Sequence, residues 1–357
     1  MSELSIPALQ STTSGAPNFS SGVTIGGVAL TSLVNLTEFY DSASPPGSPR
    51  NGAVWWDGTY ARQWVNTGWR ELTLTEPLRN SGNTGIIATN ISAANFQAIS
   101  IPTTGNATDF GDMTVVRIGT GAVSNGTRGV FGGGNVSNTA QNVIDYITFA
   151  TPGNATDFGD LISTRDKVGG VSNGATGAFA GGSYSSTIDY ITIATPSNAT
   201  SFGNLSVARN FMGSCSSLDR GVFAGGANSQ TNVIDYITIA TPGNATDFGD
   251  ILAITEGLAG CSDNIRGIFG GGAGGPYINT LQYITIATTG NSTLFGSLTV
   301  ARAALGSCAN GTRGVWAGGY FGFSNVIDYV TIQTLGNATD FGDLTATSSQ
   351  LSGCSGN

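Results

Sequence analysis

The chain has 357 residues, of which 39% are hydrophobic, 10% are charged and 54 are glycine, and its formal net charge is −9. Because strand-like runs of Val, Ile, Phe and Tyr recur at regular intervals, the sequence excludes a disordered chain. Its composition is typical of a Gly-, Ser-, Thr- and Asn-rich β protein. A single lysine, Lys167, and the net negative charge argue against binding to nucleic-acid backbones, which needs clustered cations. We therefore expect no nucleic-acid partner.

Residues 1–50 form a segment rich in Ser, Thr, Gly, Asn and Pro that ends in Pro45-Pro46-Gly47-Ser48-Pro49. Its longest apolar stretch, 26–36, is too short to span a bilayer, and its first residues lack the basic start of a secretory signal. These features predict a chain that is made and folded in a cytoplasm. Short apolar patches such as Val23-Thr24-Ile25 could add a strand to another chain. The segment is either a leader without structure or an arm that attaches the protein to an assembly.

Residues 51–80 predict a small module of β-hairpins with an unusual density of tryptophan. The stretch 54–60 contains an Asp-Gly turn, which favours a hairpin, and 63–70 predicts another. A three-stranded meander of this size cannot bury four tryptophans alone. We expect the tryptophans to pack on the rest of the protein, on a partner, or on a ligand such as a sugar ring, with packing favoured: Trp55, Trp56, Trp64 and Trp69.

From residue 81 to the C-terminus one unit repeats six times, and its phenylalanines recur at intervals of 44 to 48 residues: Phe110, Phe158, Phe202, Phe248, Phe295 and Phe341. This period is typical of propellers and solenoids. A complete unit predicts four strands, which is the size of one propeller blade. In one unit these are 209–215, 221–224, 234–240 and 246–251.

The order of segments at the two ends of the repeats predicts how they close. The first appearance of the pattern, Gly85 to Ala88, corresponds to a second strand, and the last, Leu351 to Ser355, corresponds to a first strand with nothing after it. The repeats therefore supply six copies of every strand type, and one blade must combine both ends of residues 81–357. Such pairing removes two unpaired edges. The sequence predicts an all-β fold whose main body is a six-bladed propeller.

Cysteines occupy one repeated position, where two earlier units carry Val123 and Val171. A position that accepts valine or cysteine favours a buried small apolar site, and equivalent positions on successive blades point the same way, so disulfides are not expected. A thiol metal site is the less favoured alternative. The four residues are Cys215, Cys261, Cys308 and Cys354.

The absence of histidine excludes Ser-His-Asp and Cys-His catalysis and most zinc or copper sites. Paired carboxylates could support glycoside hydrolysis, but they recur in the repeated DFGD segment, which favours turn chemistry. Calcium binding by the same oxygens is left open. The glycine runs precede no predicted helix and are not phosphate loops. We predict no catalytic residue, no metal and no cofactor. The carboxylate pairs are Asp109 and Asp112, Asp157 and Asp160, Asp247 and Asp250, and Asp340 and Asp343.

The loops between the second and third strands vary in length and content, unlike the rest of the unit. Variable loops on a rigid scaffold are where binding residues concentrate. The sequence predicts binding through the aromatic residues in these loops: Tyr184, Tyr277, Tyr320, Phe321 and Phe323.

The unit resembles a kelch repeat, because a glycine doublet such as Gly225-Gly226 ends the second strand and an arginine such as Arg209 starts the first. It departs from the kelch pattern in that a tyrosine precedes a phenylalanine by twelve residues, as in Tyr236 and Phe248. The resemblance covers residues 85–357 and implies architecture, not activity.

The amino-acid sequence of the repeat, IDYITIAT followed by GNATDFGD, is similar to repeats of structural and tail proteins of marine bacteriophages. The Trp-rich module resembles hairpin modules of phage tail and fibre proteins, through Gly52, Trp56-Asp57 and the turn 66–69. The resemblance implies a virion structural protein, expected as a tail fibre or appendage that contacts the host surface. It is expected to bind other virion proteins through the arm, to contact a cell-surface glycan or outer-membrane protein, and to oligomerise in the particle.

Two alternatives are kept. A capsid decoration protein would have the same sequence features. A polysaccharide-degrading enzyme would need a carboxylate pair outside the repeat pattern, and Glu256 is the only glutamate in the propeller.

Overall fold

A computed structural model describes residues 82–89, 95–228, 231–320 and 324–356 in full, together with the backbone of six strands before residue 82. The chain divides into two compact units, Met1–Pro77 and Leu78–Asn357. Within the described part of the chain every regular element is a β-strand. No helix there is long and apolar enough to cross a membrane.

The first unit contains a two-stranded pair, Thr24–Ile25 with Val28–Ala29, and a four-stranded sheet. In the four-stranded sheet the first two strands pair in parallel, and the third and fourth continue from the second as an antiparallel meander. Trp55, Trp56, Trp64 and Trp69 belong to these strands by backbone, and their side chains lie outside the described part. In order, the strands of the sheet are Phe39–Asp41, Val54–Trp56, Ala61–Val65 and Gly68–Glu71.

The second unit is a six-bladed β-propeller, as the sequence predicts, and each blade is a four-stranded antiparallel sheet. From blade 1 to blade 6 the second strands are Thr84–Ala88, Arg128–Gly132, Thr176–Ala180, Arg220–Ala224, Arg266–Gly270 and Arg313–Ala317. The third strands are Asn95–Ser100, Val143–Thr148, Thr187–Thr192, Val233–Thr238, Thr280–Thr285 and Val326–Thr331.

The outer strands of blades 1 to 6 are Thr108–Asp112, Thr156–Asp160, Thr200–Asn204, Thr246–Asp250, Thr293–Ser297 and Thr339–Asp343. The inner strands of blades 2 to 6 are Gly121–Ser124, Gly169–Ser172, Gly213–Ser216, Ala259–Ser262 and Gly306–Ala309. Blade 2 also carries a small hairpin, Asn135–Val136 with Thr139–Ala140.

Blade 1 is built from both ends of the propeller. Its inner strand is the C-terminal Ser352–Gly356, which pairs antiparallel with Thr84–Ala88 from Ser352 opposite Ala88 to Gly356 opposite Thr84. The inner strands therefore form a closed ring around the axis, and neither end of the repeats leaves an unpaired strand inside the sheet.

The hydrophobic core consists of six clusters, one at each interface between neighbouring blades. The second strands are buried on both sides, and their period-2 alternation serves two interfaces. In blade 4, Val222 packs in the cluster shared with blade 5, whereas Phe223 packs in the cluster shared with blade 3. Each blade thus contributes apolar side chains to both neighbours.

The twelve-residue spacing between tyrosine and phenylalanine has a structural cause. The pairing of third and outer strands shifts register at a β-bulge, which leaves Phe248 between the paired residues Asp247 and Gly249. The bulge turns Phe248 into the core, where it is 2% exposed. Its ring meets that of Tyr236 edge to face, with centroids 6.0 Å apart, a geometry that aromatic pairs prefer.

The repeated cysteine position is buried, as predicted, and all four thiols are free. Each side chain packs against a glycine in the second strand of the next blade. A Cβ placed on Gly267 would lie 2.4 Å from the Sγ of Cys215, and one on Gly177 would lie 2.6 Å from a methyl of Val123. Glycine is therefore required opposite this position, and the two together set how closely neighbouring blades approach.

The repeated GNAT and DFGD segments join neighbouring blades at the rim. The Asn244 side chain of blade 4 accepts a hydrogen bond from the backbone N–H of Asn204, in the outer strand of blade 3, at 3.1 Å. The equivalent bond occurs at all six interfaces and closes the ring through Asn106 and Asp343 at 3.0 Å. This inter-blade contact accounts for the repetition of the asparagine.

The repeated arginines form buried ion pairs. The sequence predicts that Arg209 starts the inner strand, but that strand begins at Gly213, and Arg209 lies in the preceding segment. Its guanidinium is 2.9 Å from the carboxylate of Asp235, and both side chains are almost fully buried. The same pair occurs in blades 2, 3 and 6: Arg117 with Asp145, Arg165 with Asp189, and Arg302 with Asp328.

Blades 1 and 5 replace both members of this pair together. Ser348 and Thr255 stand where the other blades have arginine, and Gln97 and Gln282 stand where they have aspartate. The oxygen of Gln282 accepts hydrogen bonds from the Leu252 N–H at 2.9 Å and from a serine hydroxyl. A buried carboxylate without its cation would be costly, so loss of the arginine accompanies loss of the charge.

Candidate functional site

The two faces of the propeller differ in the connections they carry. Because strands alternate in direction, the segments from outer to inner strands and the loops from second to third strands lie on one face, called here the loop face. Short bridges join the two kinds of segment within a blade, at Asn210 with Ala227, Glu256 with Ala273, and Ala303 with Tyr320. Among the described residues the loop face comprises 113–120, 161–168, 205–212, 251–258, 298–305 and 344–351, with 133–142, 181–186, 225–228, 231–232, 271–279, 318–320 and 324–325.

A closed ring of six left-handed residues surrounds the axis on the loop face, one for each blade. Their φ values lie between 55° and 68°. Around the ring each N–H donates to the carbonyl of the preceding member at 2.6 to 3.2 Å, and at the last step the N–H of Leu351 donates to the carbonyl of Ala304 at 3.3 Å. The members are Gly119, Lys167, Phe211, Gly257, Ala304 and Gln350.

Four positions of this ring carry residues other than glycine, although a bulky side chain at positive φ is strained. Each such residue costs of the order of 1 to 3 kcal/mol, and such outliers concentrate at functional sites. The ring side chains and those directly before them differ from blade to blade, whereas the residue two positions before is arginine in four blades. Variable, strained positions of this kind are candidates for a binding role.

The chain's single lysine belongs to this ring. The Nζ of Lys167 lies 4.6 Å from the centroid of the Phe211 ring and 3.6 Å from the carboxylate of Asp166. The same carboxylate accepts a hydrogen bond from the Ser183 hydroxyl at 2.7 Å. The cation is thus fixed over an aromatic face and beside a carboxylate, and this sector has no strong net charge.

A pocket of about 240 Å³ opens on the loop face over blades 5 and 6. The rings of Tyr277 and Tyr320 line it with centroids 5.8 Å apart and planes tilted by 58°. Polar groups come from Glu256, Ser349 and Gln350, and Phe211 lies on the axial side. Two smaller cavities, of about 110 and 80 Å³, follow the axis between the inner strands.

The axial cavities are narrowed by contacts between inner strands. The Ser262 hydroxyl donates to the carbonyl of Ser216 at 2.6 Å, and the Ser172 hydroxyl donates to that of Ser124 at 2.9 Å. These hydroxyls bind the backbone of the neighbouring blade and leave a narrow channel. The pocket over blades 5 and 6 is roomier than these two axial cavities.

The structure brings two of the predicted aromatic residues together. Tyr277 and Tyr320 share the pocket with Glu256, whereas Tyr184 belongs to blade 3, does not line it and is 57% exposed. Phe321 and Phe323 lie outside the described residues. A binding role for all five stays a prediction.

Exposed apolar side chains are distributed unevenly over the propeller. Of eleven large hydrophobic residues exposed in the described part of the chain, eight lie on the loop face. Three lie elsewhere: Ile265, Leu294 and Leu335. The eight are Val115, Val116, Ile162, Tyr184, Leu252, Ile254, Val300 and Tyr320.

The aspartates of the DFGD segments lie on the outer strands, and the second of each pair directly precedes a loop-face segment. The hydrogen bond between blades described above uses the backbone N–H of this second aspartate and not its carboxylate. Within the described residues no three His, Cys, Asp or Glu side chains are grouped so as to hold a metal ion.

The pocket includes residues that the sequence analysis did not select, namely Phe211, Ser349 and Gln350. The sequence does contain a signal for Phe211 and Gln350. In the segment before each inner strand, the position they occupy changes from blade to blade as Gly, Lys, Phe, Gly, Ala and Gln. Without the structure nothing connects that position with the loops that carry the tyrosines.

The fold is a six-bladed propeller, and most of its exposed large apolar side chains in the described residues lie on one face. No protein-family model matches the chain, and no curated protein matches it.

Proposed function

We propose that the protein is a bacteriophage virion component, exposed on the particle as part of a tail fibre or appendage, which contacts the host surface through the loop face. The N-terminal arm attaches it to other virion proteins, and the propeller acts by binding, not by catalysis.

The observation that carries this proposal is the concentration of exposed apolar and aromatic side chains on the loop face. Large exposed apolar patches with polar surroundings mark interaction sites on soluble proteins. The rim carries a repeated hydrogen bond between blades, whereas the exposed side chains of the loop face differ between blades without disturbing that contact.

The assignment to a virion rests on the resemblance of the repeat and of the Trp-rich module to phage structural proteins. A repeated scaffold with variable loops suits a receptor-binding protein, since the loops can change while the inter-blade contacts hold the ring. A capsid decoration protein would use the same surface and differs in its place on the particle.

The enzymatic alternative receives less support from the site. Glycoside hydrolysis needs two carboxylates on either side of the scissile bond, about 5 to 9.5 Å apart. Among the described residues that line the pocket, Glu256 is the only carboxylate.

The position on the particle is tested by labelling purified virions with antibodies to the protein and imaging them. Label at the tail supports the appendage and label over the head supports the decoration variant, whereas particles without label refute a virion role. A truncated chain beginning at Leu78 should fail to join particles if the arm is the anchor.

Host contact is tested with a matched pair of variants in blade 5. Ile254 on the loop face and Ile265 on the opposite face are 48% and 64% exposed. We expect Ile254→Glu to lose binding to host cells and Ile265→Glu to keep it. Equal binding by the two variants would contradict recognition through the loop face.

A further inference from the structure

We propose that the pocket over blades 5 and 6 binds one uncharged pyranose residue of a cell-surface glycan. This inference rests on the proposed function and names the ligand class and the site. Its five central side chains are those of Phe211, Glu256, Tyr277, Tyr320 and Gln350.

Blade 5 departs from the repeat around this pocket. It lacks the buried ion pair, since Thr255 and Gln282 replace arginine and aspartate. Leu294 and Ser297 replace the aspartates of its outer strand. Its segment next to the pocket carries Glu256, where the other blades carry Ile118, Asp166, Asn210, Ala303 and Ser349. Blade 1 shares only the first of these changes, and blade 3 shares only the loss of the outer-strand aspartates, through Ser201 and Asn204. Blade 5 is the blade that combines both changes with a glutamate beside the pocket.

The two tyrosines supply the apolar surface that a sugar ring needs. Their centroids are 5.8 Å apart at a tilt of 58°, so the rings form an angled wall instead of a closed stack. The C–H groups on a pyranose face are the natural partners of such aromatic faces, which carry partial negative charge. Tyr320 is 45% exposed and therefore accessible from solvent.

The polar groups suit hydroxyls. The Glu256 carboxylate accepts hydrogen bonds, the Gln350 amide both donates and accepts, and the Ser349 hydroxyl does the same. Neighbouring hydroxyls of a sugar need such a mixture of donors and acceptors. Few polar groups among apolar walls are the usual composition of a small-ligand site.

Charge favours an uncharged sugar over an acidic one. Glu256 repels an anion, and no cationic side chain lines the pocket among the described residues. Two cations nearby are already paired: Lys167 lies over Phe211 and beside Asp166, and the buried Arg302 is paired with Asp328. Sialic acids, uronic acids and phosphorylated sugars would meet a carboxylate without a compensating charge.

The size of the pocket sets how much of a glycan it can hold. At about 240 Å³ it falls below the roughly 300 to 1,000 Å³ typical of drug-sized ligands. One ring fits this volume, and the rest of the glycan would lie over the exposed apolar residues of the loop face. The hydrogen bonds of the axial ring fix the backbone that carries Phe211 and Gln350, at φ of 55° and 56°, so this part of the site is built before a ligand arrives.

The test uses the full chain and ligand-detected NMR with the methyl glycosides of glucose, galactose, mannose and N-acetylglucosamine, and with methyl glucuronide as the acidic probe. We expect at least one neutral glycoside to bind and the glucuronide not to bind. Tyr320→Ala and Glu256→Gln should each weaken the binding by about tenfold or more. Tyr320→Phe should stay within about threefold, because it keeps the aromatic face.

Tyr184→Ala is the matched control, since Tyr184 occupies the corresponding loop of blade 3 outside the pocket. Thermal unfolding of each variant checks that the ring is intact. The inference is overturned if no neutral glycoside binds, if the glucuronide binds as well as the neutral glycosides, or if Tyr320→Ala and Tyr184→Ala weaken binding equally. Virion labelling and the Ile254 and Ile265 variants test the proposed function separately from this pocket.

Discussion

Removal of one member of a buried ion pair should destabilise the propeller, and exchange of both members should not. In blade 4 the side chains of Arg209 and Asp235 are 1% and 0% exposed and meet at 2.9 Å. Burial lowers the pKa of Arg209 and the charge of Asp235 opposes that shift. Blades 1 and 5 give the template for exchange, since they have serine or threonine with glutamine at these two positions.

The magnitude follows from what each change leaves behind. Arg209→Thr leaves the Asp235 carboxylate with the Ser206 N–H and hydroxyl as its remaining donors, at 3.1 and 2.6 Å. Asp235→Gln leaves a buried guanidinium without an anion. Either change removes one partner of a buried pair, which costs about 3 to 5 kcal/mol. At about 2 °C for each kcal/mol in a chain of this size, the melting temperature should fall by roughly 6 to 10 °C.

The double variant Arg209→Thr, Asp235→Gln removes both charges, and glutamine can accept from the Ser206 N–H as Gln97 accepts from the Thr345 N–H at 3.0 Å. Replacement of a whole buried pair by neutral groups is often close to neutral, so we expect a loss of no more than about 2 kcal/mol. The assay is thermal unfolding followed by circular dichroism, with guanidinium unfolding as a second measure. A double variant less stable than either single variant would refute the explanation of the paired substitutions in blades 1 and 5.

Three further outcomes are expected. Gly267→Ala should lower the free energy of unfolding by about 1 to 3 kcal/mol, because the new Cβ would lie 2.4 Å from the Sγ of Cys215. Gly243→Ala, whose new Cβ meets nothing within 4 Å, should change it by less than about 0.5 kcal/mol. Chemical denaturation compares the two variants, and equal effects would argue against the inter-blade contact. The four thiols are buried, so a thiol reagent at pH 8 should label none of them in the folded protein and all of them in guanidinium; labelling of the native chain at the unfolded rate would contradict their burial. Burial raises the pKa of Cys308 from 9.0 to about 12, and since the unfolded thiol loses its proton first, stability should fall as pH rises above 9. At pH 10 this thiol alone should lower the free energy of unfolding by about 1.4 kcal/mol. Between pH 8 and pH 10, Cys308→Val should therefore lose about 1.4 kcal/mol less stability than the unaltered chain. Urea unfolding at the two pH values measures this difference, and equal losses would contradict the prediction.

Much of the fold could be predicted because the interactions that define a blade are local in sequence and repeated. The period fixes the number of blades, and the strand type at each end fixes which segments are left to pair, so the six-bladed ring follows from counting. The alternation of Cys215 with Val123 at one repeated position predicts a buried apolar site without knowledge of its neighbour. The start of the inner strand was predicted too early, at Arg209, because a buried arginine that bonds backbone carbonyls resembles an ordinary strand residue in sequence.

The tertiary structure alone decided what each repeated residue contacts. Cys215 packs against Gly267 in the next blade. Asn106 accepts a hydrogen bond from Asp343, which is near the other end of the propeller's sequence. These contacts exist because closure of the ring brings each blade against the next, which no local pattern encodes. The candidate pocket has the same origin: Phe211, Tyr320 and the residues between blades 5 and 6 are far apart along the chain and converge because every outer-to-inner segment runs towards one axis.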